Sequence, residues 1–112
     1  MNIEGAWKLE MLGPYGWEKV STAFLQGGRY LAAGADHHSV GSYEDADDTL
    51  KVNVRVMQHG ESRTIFGETK PMMDLRMVGE IGQGDSVLGK VYPSDNDEFD
   101  VRFRMTRLGD ID

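Results

Sequence analysis

Carboxylates are the commonest chemically active side chains of this chain, and they are densest in the stretch SYEDADDTLKVNVRV, residues 42–56. Glu44, Asp45, Asp47 and Asp48 place four carboxylates within five positions. One or two acidic side chains satisfy the backbone of a turn, whereas four repel one another. The cluster is therefore typical of two things, a solvated turn or a surface that binds a basic partner, and both interpretations stay open at this point.

A second group of candidate ligands lies in ADHHS, residues 35–39, and is joined by His59 further along the chain. Neighbouring side chains of a strand point to opposite faces, so His37 and His38 cannot share one metal ion without a bulge. A site built from Asp36, His38 and His59 is the remaining combination. Because no spacing here matches a metal-binding motif, we expect solvated histidines and no metal site.

The remaining nucleophiles and glycine-rich segments do not indicate catalysis. The chain contains no cysteine, and none of its serines lies in a nucleophile-elbow sequence. The segments QGGRY and GQGDS lie between predicted strands and open no helix, so we do not expect them to bind phosphate. We therefore expect a protein that is not an enzyme and that needs no cofactor.

The composition limits the partners and the location. With 12 basic and 19 acidic residues the net charge is −7, which argues against direct binding of nucleic acid or of an anionic membrane surface and favours a basic protein partner. A hydrophobic share of 39% predicts a folded chain, and 112 residues suit one domain, residues 1–112. No apolar run is long enough for a membrane helix and no secretory signal is visible, so we expect a cytoplasmic protein.

Apolar and polar residues alternate along most of the chain, which predicts strands. The clearest case is residues 50–57, where Leu50, Val52, Val54 and Val56 alternate with polar side chains. No window shows a helical stripe, and short turns separate about eight such segments, at residues 3–11, 17–25, 29–34, 38–43, 50–57, 73–78, 86–92 and 99–106. We therefore predict an all-β fold, an eight-stranded antiparallel up-and-down β-barrel.

Seven methionines are an unusual number for this length. Flexible thioether side chains fill gaps in a core, and they also form soft linings for apolar ligands. If the barrel holds a ligand, we expect it to be apolar and to contact the inward-facing side chains of two strands, Met73, Leu75, Met77, Phe103 and Met105. A small-molecule carrier is thus the alternative to a protein-binding function.

The chain resembles the GrlR-type negative regulators of type III secretion and their wider bacterial relatives. Three segments carry the resemblance: IEGAWKLEML, FLQGGRYLAAGAD and, most specifically, SVGSYEDADDTLKVNVRV. It implies a lipocalin/calycin-like β-barrel that forms homodimers. It also implies a regulator that binds a transcriptional activator without catalysis.

In the family that the chain resembles, an acidic Glu-Asp-Glu-Asp turn takes part in holding the activator. Carried over by position, this motif falls on Glu44, Asp45, Ala46 and Asp47, with alanine in place of the third acid and Asp48 as an additional carboxylate. The resemblance therefore implies a bacterial regulatory adaptor that binds a basic, DNA-binding activator through its acidic turn.

Overall fold

The computed structural model describes residues 3–59, 71–82, 85–98 and 100–111. Within these residues every regular element is a strand. The eight strands are β1 Gly5–Gly13, β2 Gly16–Gln26, β3 Arg29–Ala33, β4 His37–Ala46, β5 Thr49–Gln58, β6 Met72–Ile81, β7 Ser86–Pro93 and β8 Val101–Gly109. Each predicted strand has its counterpart, and β4 is longer than predicted because its pairing with β5 continues into the acidic stretch. Phe99, with which the last predicted strand begins, lies outside the described residues.

Each strand pairs antiparallel with the next, and β8 pairs with β1 to close the barrel. The prediction of an all-β, eight-stranded antiparallel up-and-down barrel is confirmed, and the architecture is consistent with a lipocalin/calycin-like barrel. Closure pairs every strand on both sides, so the regular, valine-rich β5 has no free edge. Within the described residues, no helix has the length and apolar character needed to span a membrane.

The interior is filled by the apolar half of the alternating pattern. In β5, Leu50, Val52 and Val54 are buried while the residues between them are exposed, as their alternation predicts. In β1 the inward residues are Trp7, Leu9 and Met11. The methionines that the sequence analysis singled out as inward, Met73, Met77 and Met105, are all buried.

A bulge between β1 and β2 decides which way β2 faces. Leu9 pairs with Ser21 and Glu10 with Lys19, so Val20 has no partner on β1. The extra residue shifts the alternation by one position. Beyond it Ser21 faces inward and Phe24 outward, with Phe24 40% exposed.

The two ends of the barrel carry different turns. One end, which we call the acidic end, carries the β2–β3, β4–β5 and β6–β7 turns together with the start of β1 and the end of β8. The opposite end, which we call the mouth end, carries the β1–β2, β3–β4, β5–β6 and β7–β8 connections. At the acidic end the Trp7 indole donates a hydrogen bond of 3.0 Å to the Ile3 carbonyl oxygen. Arg107, the register partner of Trp7, donates a hydrogen bond of 2.6 Å to the Glu4 carbonyl oxygen. These contacts fold the chain start across the acidic end.

Candidate functional site

The acidic hairpin, residues 44–48, comprises the last three residues of β4 and the turn that leads into β5. Ala46 pairs with Thr49, so the turn has two residues, Asp47 and Asp48. Both have left-handed backbones, with φ of 54° and 61°. This geometry matches the twist of paired strands, but it is more commonly supplied by Asn-Gly or Gly-Gly. The β2–β3 turn at the same end does use Gly27 and Gly28, with φ of 59° and 80°.

All four predicted contact residues, Glu44, Asp45, Asp47 and Asp48, are exposed, and the hairpin brings them together. Lys51 is the register partner of Glu44, yet none of the four carboxylates forms a salt bridge within the part of the chain that the structure describes. Their charges therefore remain directed at solvent. The charge of Asp45 also affects the pKa of the nearby Tyr43.

The Tyr43 phenol lies just inside the rim, below the acidic hairpin. Burial raises the pKa of Tyr43, and the negative charges of Glu4 and Asp45 raise it further, against the lowering effect of a hydrogen bond with the Gly28 backbone. A protonated phenol at this position adds no further negative charge.

Other acidic residues lie at the same end of the barrel as the hairpin. Glu80 is the register partner of Thr49 on β6, and both Asp85 and Asp110 are exposed at the same end of the barrel. Arg107 donates a hydrogen bond of 2.6 Å to Asp110. Asp110 is thus compensated by Arg107, and the exposed Glu80 and Asp85 extend the negative surface beyond the hairpin itself, which favours approach by a positively charged molecule.

A cavity of about 120 Å³ lies inside the barrel toward the mouth end. Met73, Leu75 and Met77, three of the predicted ligand-binding residues, line it. Phe103 and Met105 are fully buried but are not among the lining residues. The structure thus brings the three β6 residues to a ligand-sized space and leaves the two β8 residues in the solid part of the core.

Polar groups also line this cavity, and the sequence analysis did not foresee them. Ser21 and Ser39 are only 3% and 6% exposed. The side-chain oxygen Oε1 of Gln58 is buried and has no hydrogen-bond partner within the described residues. Asp36 and His37 line the cavity at the strand ends, where the carboxylate lies 3.1 Å from Nδ1 of the imidazole.

The combination Asp36, His38 and His59 does not assemble. Asp36 contacts His37 instead, while the ring of His38 stacks on that of His59 at a centroid distance of 5.4 Å. Among the described residues there is no group of three or more His, Cys, Asp or Glu side chains that could hold a metal ion.

An ion pair on the outer wall connects β1 to β8. The Arg104 guanidinium donates hydrogen bonds of 2.9 and 3.3 Å to the two carboxylate oxygens of Glu10, and it lies 4.4 Å above the Trp17 ring. The hydrogen bond from Arg104 lowers the pKa of Glu10, although partial burial opposes it. This contact joins residues far apart in sequence and depends on closure of the barrel.

Apolar side chains form one row on the outer wall. Phe24, Leu31 and Val40 are register neighbours on β2, β3 and β4, and they are 40%, 44% and 40% exposed. Outward positions of a barrel in water are normally polar. An exposed apolar row of this kind is typical of a surface that another protein covers.

Comparison with known proteins does not add a relative. No protein-family model matches this chain, and no curated protein sequence matches it. The barrel implied by the resemblance to the GrlR-type regulators is the fold observed. The function that the resemblance implies stays a prediction, and it rests on the acidic hairpin.

Proposed function

We propose that this barrel is a non-enzymatic regulatory adaptor of the bacterial cytoplasm that binds a basic protein partner through the acidic hairpin. The observation that carries the proposal is the state of Glu44, Asp45, Asp47 and Asp48. They are exposed, they form no salt bridge within the described residues, and two of them occupy left-handed positions where glycine would be less strained. A two-residue turn needed only for folding requires the left-handed backbone but not four exposed carboxylates.

The charge of the acidic end supports a particular kind of partner. Complementary charge speeds the encounter of two proteins and orients them, and its effect on the association rate falls as salt is added. A transcriptional activator carries a basic surface because it must neutralise DNA phosphates. An adaptor that covers this surface competes with the DNA and thereby silences the activator.

We further propose that the adaptor is a homodimer and that Phe24, Leu31 and Val40 lie in its interface. The three side chains belong to adjacent strands and form a continuous apolar row. None of the three is charged, and burying them against a second copy removes apolar surface from water. The row lies on the outer wall, so the acidic hairpin stays accessible in the dimer.

The proposal is tested by affinity capture with two charge variants of the full chain. The first changes Glu44→Gln, Asp45→Asn, Asp47→Asn and Asp48→Asn. The control changes four exposed acids near the mouth end by the same rule, Glu18, Asp95, Asp97 and Glu98. Both variants lose the same charge. We expect the hairpin variant to lose a basic protein that the wild type and the control both retain, and equal retention by all three would contradict the proposal.

A further inference from the structure

We infer that the cavity at the mouth end binds a small uncharged molecule with an apolar body and one hydrogen-bond donor, of which a phenol is the simplest example. Most of the lining is aliphatic or thioether, from Leu9, Met11, Val20, Val54, Val56, Met73, Leu75, Met77 and Val91. The acidic hairpin lies at the other end of the barrel, so this inference does not depend on the proposed regulatory function.

A short side chain on one wall leaves part of the space. Three of the lining residues, Ser39, Val56 and Met73, are successive register neighbours on β4 to β6. Ser39 is the smallest of the three, and a larger side chain at its position would fill part of the cavity, as in a tightly packed core. The cavity therefore depends in part on the small residue at this level of the barrel.

The size and the lining define the body of the ligand. The volume is about 120 Å³, somewhat less than the engineered apolar cavity of about 150 Å³ that holds benzene, so the cavity has room for about one aromatic ring. Met11, Met73 and Met77 contribute thioether groups, which adapt their shape and make favourable contacts with aromatic rings. A small aromatic body suits this lining.

The polar groups define the head of the ligand. The buried Gln58 Oε1 is an acceptor without a partner within the described residues, and a donor that reaches it would relieve the cost of its burial. The described lining includes no lysine or arginine. The His37 ring contacts the Asp36 carboxylate, with 3.1 Å between Nδ1 and Oδ1. Among the described lining residues an anionic head group would therefore meet the Asp36 carboxylate and no lysine or arginine, so we expect carboxylates to bind more weakly than uncharged molecules.

Three fluorinated aromatics that differ only in the head group test the inference by ¹⁹F NMR titration of the full chain. For 4-fluorophenol we expect a Kd on the order of 0.1–1 mM. Fluorobenzene, which lacks the donor, should bind about tenfold more weakly. We expect 4-fluorobenzoate to bind more weakly than either uncharged compound. Binding of the benzoate as tight as that of the phenol, or no binding of any of the three at low millimolar concentration, would overturn the inference.

Two matched variants locate the binding. Gln58→Leu replaces the amide with an apolar group and removes the acceptor, so the tenfold preference for 4-fluorophenol should disappear while fluorobenzene still binds. Retained fluorobenzene binding also shows that the cavity is intact. Gln26→Leu makes the same change at an exposed site of the acidic end and should leave all three affinities unchanged. If Gln58→Leu keeps the full preference, or loses all binding although its thermal unfolding matches wild type, the assignment of Gln58 is wrong.

Discussion

The backbone amide of Ile81 donates a hydrogen bond of 2.8 Å to the carbonyl oxygen of Asp48. This bond ties the tip of the acidic hairpin to β6, and the neighbouring Thr49 and Glu80 are register partners in the same ladder. The turn is thus held by its own hairpin on one side and by β6 on the other. A charged surface held in this way loses little conformational freedom on binding, which favours affinity.

The double change Asp47→Asn and Asp48→Gly should stabilise the protein by about 1 kcal/mol, because Asn-Gly fits a left-handed two-residue turn better and two repelling charges are removed. Urea unfolding measures the effect. As a control, Gly28→Ala at the β2–β3 turn, where φ is 80°, should cost about 1 kcal/mol. Destabilisation by the Asn-Gly change would mean that the carboxylates stabilise the fold, and the main support for a partner-binding role would be lost.

The Glu10–Arg104 ion pair should make stability depend on pH. Its hydrogen bond holds the pKa of Glu10 below the ordinary value of 4.5 in the folded protein. A lowered folded pKa gives stabilisation that is present above the unfolded pKa and is lost as the pH falls through the folded pKa. Wild type should therefore exceed Glu10→Gln in thermal midpoint at neutral pH, and the gap should narrow as the pH falls below 4.5 and through the lowered folded pKa of Glu10.

Arg104→Gln is the companion variant for this ion pair. It should remove most of the same pH-dependent difference, while Lys8, whose ammonium lies 3.8 Å from Glu10 Oε1, maintains the rest. It should also add a cost that does not vary with pH, because the guanidinium leaves the Trp17 ring. A gap between wild type and Glu10→Gln that stays constant from neutral to acidic pH would contradict the role given to the pair.

The two tryptophans should differ in their contribution to stability. Trp7 is fully buried and donates a hydrogen bond to Ile3, so Trp7→Phe removes both volume and a bond and should cost about 2–3 kcal/mol. Trp17 is partly exposed on the outer wall beneath Arg104, so Trp17→Phe should cost less than about 1 kcal/mol. Chemical denaturation measures both. Equal losses of stability for the two variants would argue against the structural role given to the buried Trp7 and its hydrogen bond to Ile3.

Leu31→Lys should convert the proposed homodimer into a monomer, because it puts a charge in the middle of the apolar row. Leu88→Lys is the control, since Leu88 is also exposed, at 55%, but lies on β7 away from the row. Sedimentation velocity should find wild type and Leu88→Lys as dimers and Leu31→Lys as a monomer. A monomeric wild type, or a dimer that Leu31→Lys leaves intact, would rule out this interface.

The strands were predictable because burial on one face imposes a period of two on the sequence. In β5 every second residue is apolar, and the structure has the same alternation of buried and exposed positions. Which residues of β2 point into the barrel was not predictable. Val20 has no partner on β1 and shifts the alternation by one position, and no local pattern reveals such a bulge.

The two candidate sites also differ in whether a local sequence pattern could predict them. The acidic hairpin is local in sequence, so its four carboxylates and its turn could be recognised directly. The cavity forms where residues from several strands meet, and neither the space nor the unpartnered Gln58 side chain follows from a local pattern. The pairing of Glu10 with Arg104 likewise required closure of β8 on β1.

The most direct test of the central claim is the association rate of the captured partner with the adaptor, measured by stopped-flow across a range of salt concentrations. Wild type and the mouth-end control, with changes at Glu18, Asp95, Asp97 and Glu98, should associate fast at low salt and slow down steeply as salt is added. The variant without the carboxylates of Glu44, Asp45, Asp47 and Asp48 should associate about tenfold more slowly at low salt, with a much weaker salt dependence. A hairpin variant that follows the wild-type rate at every salt concentration would contradict the claim that the acidic hairpin binds the partner.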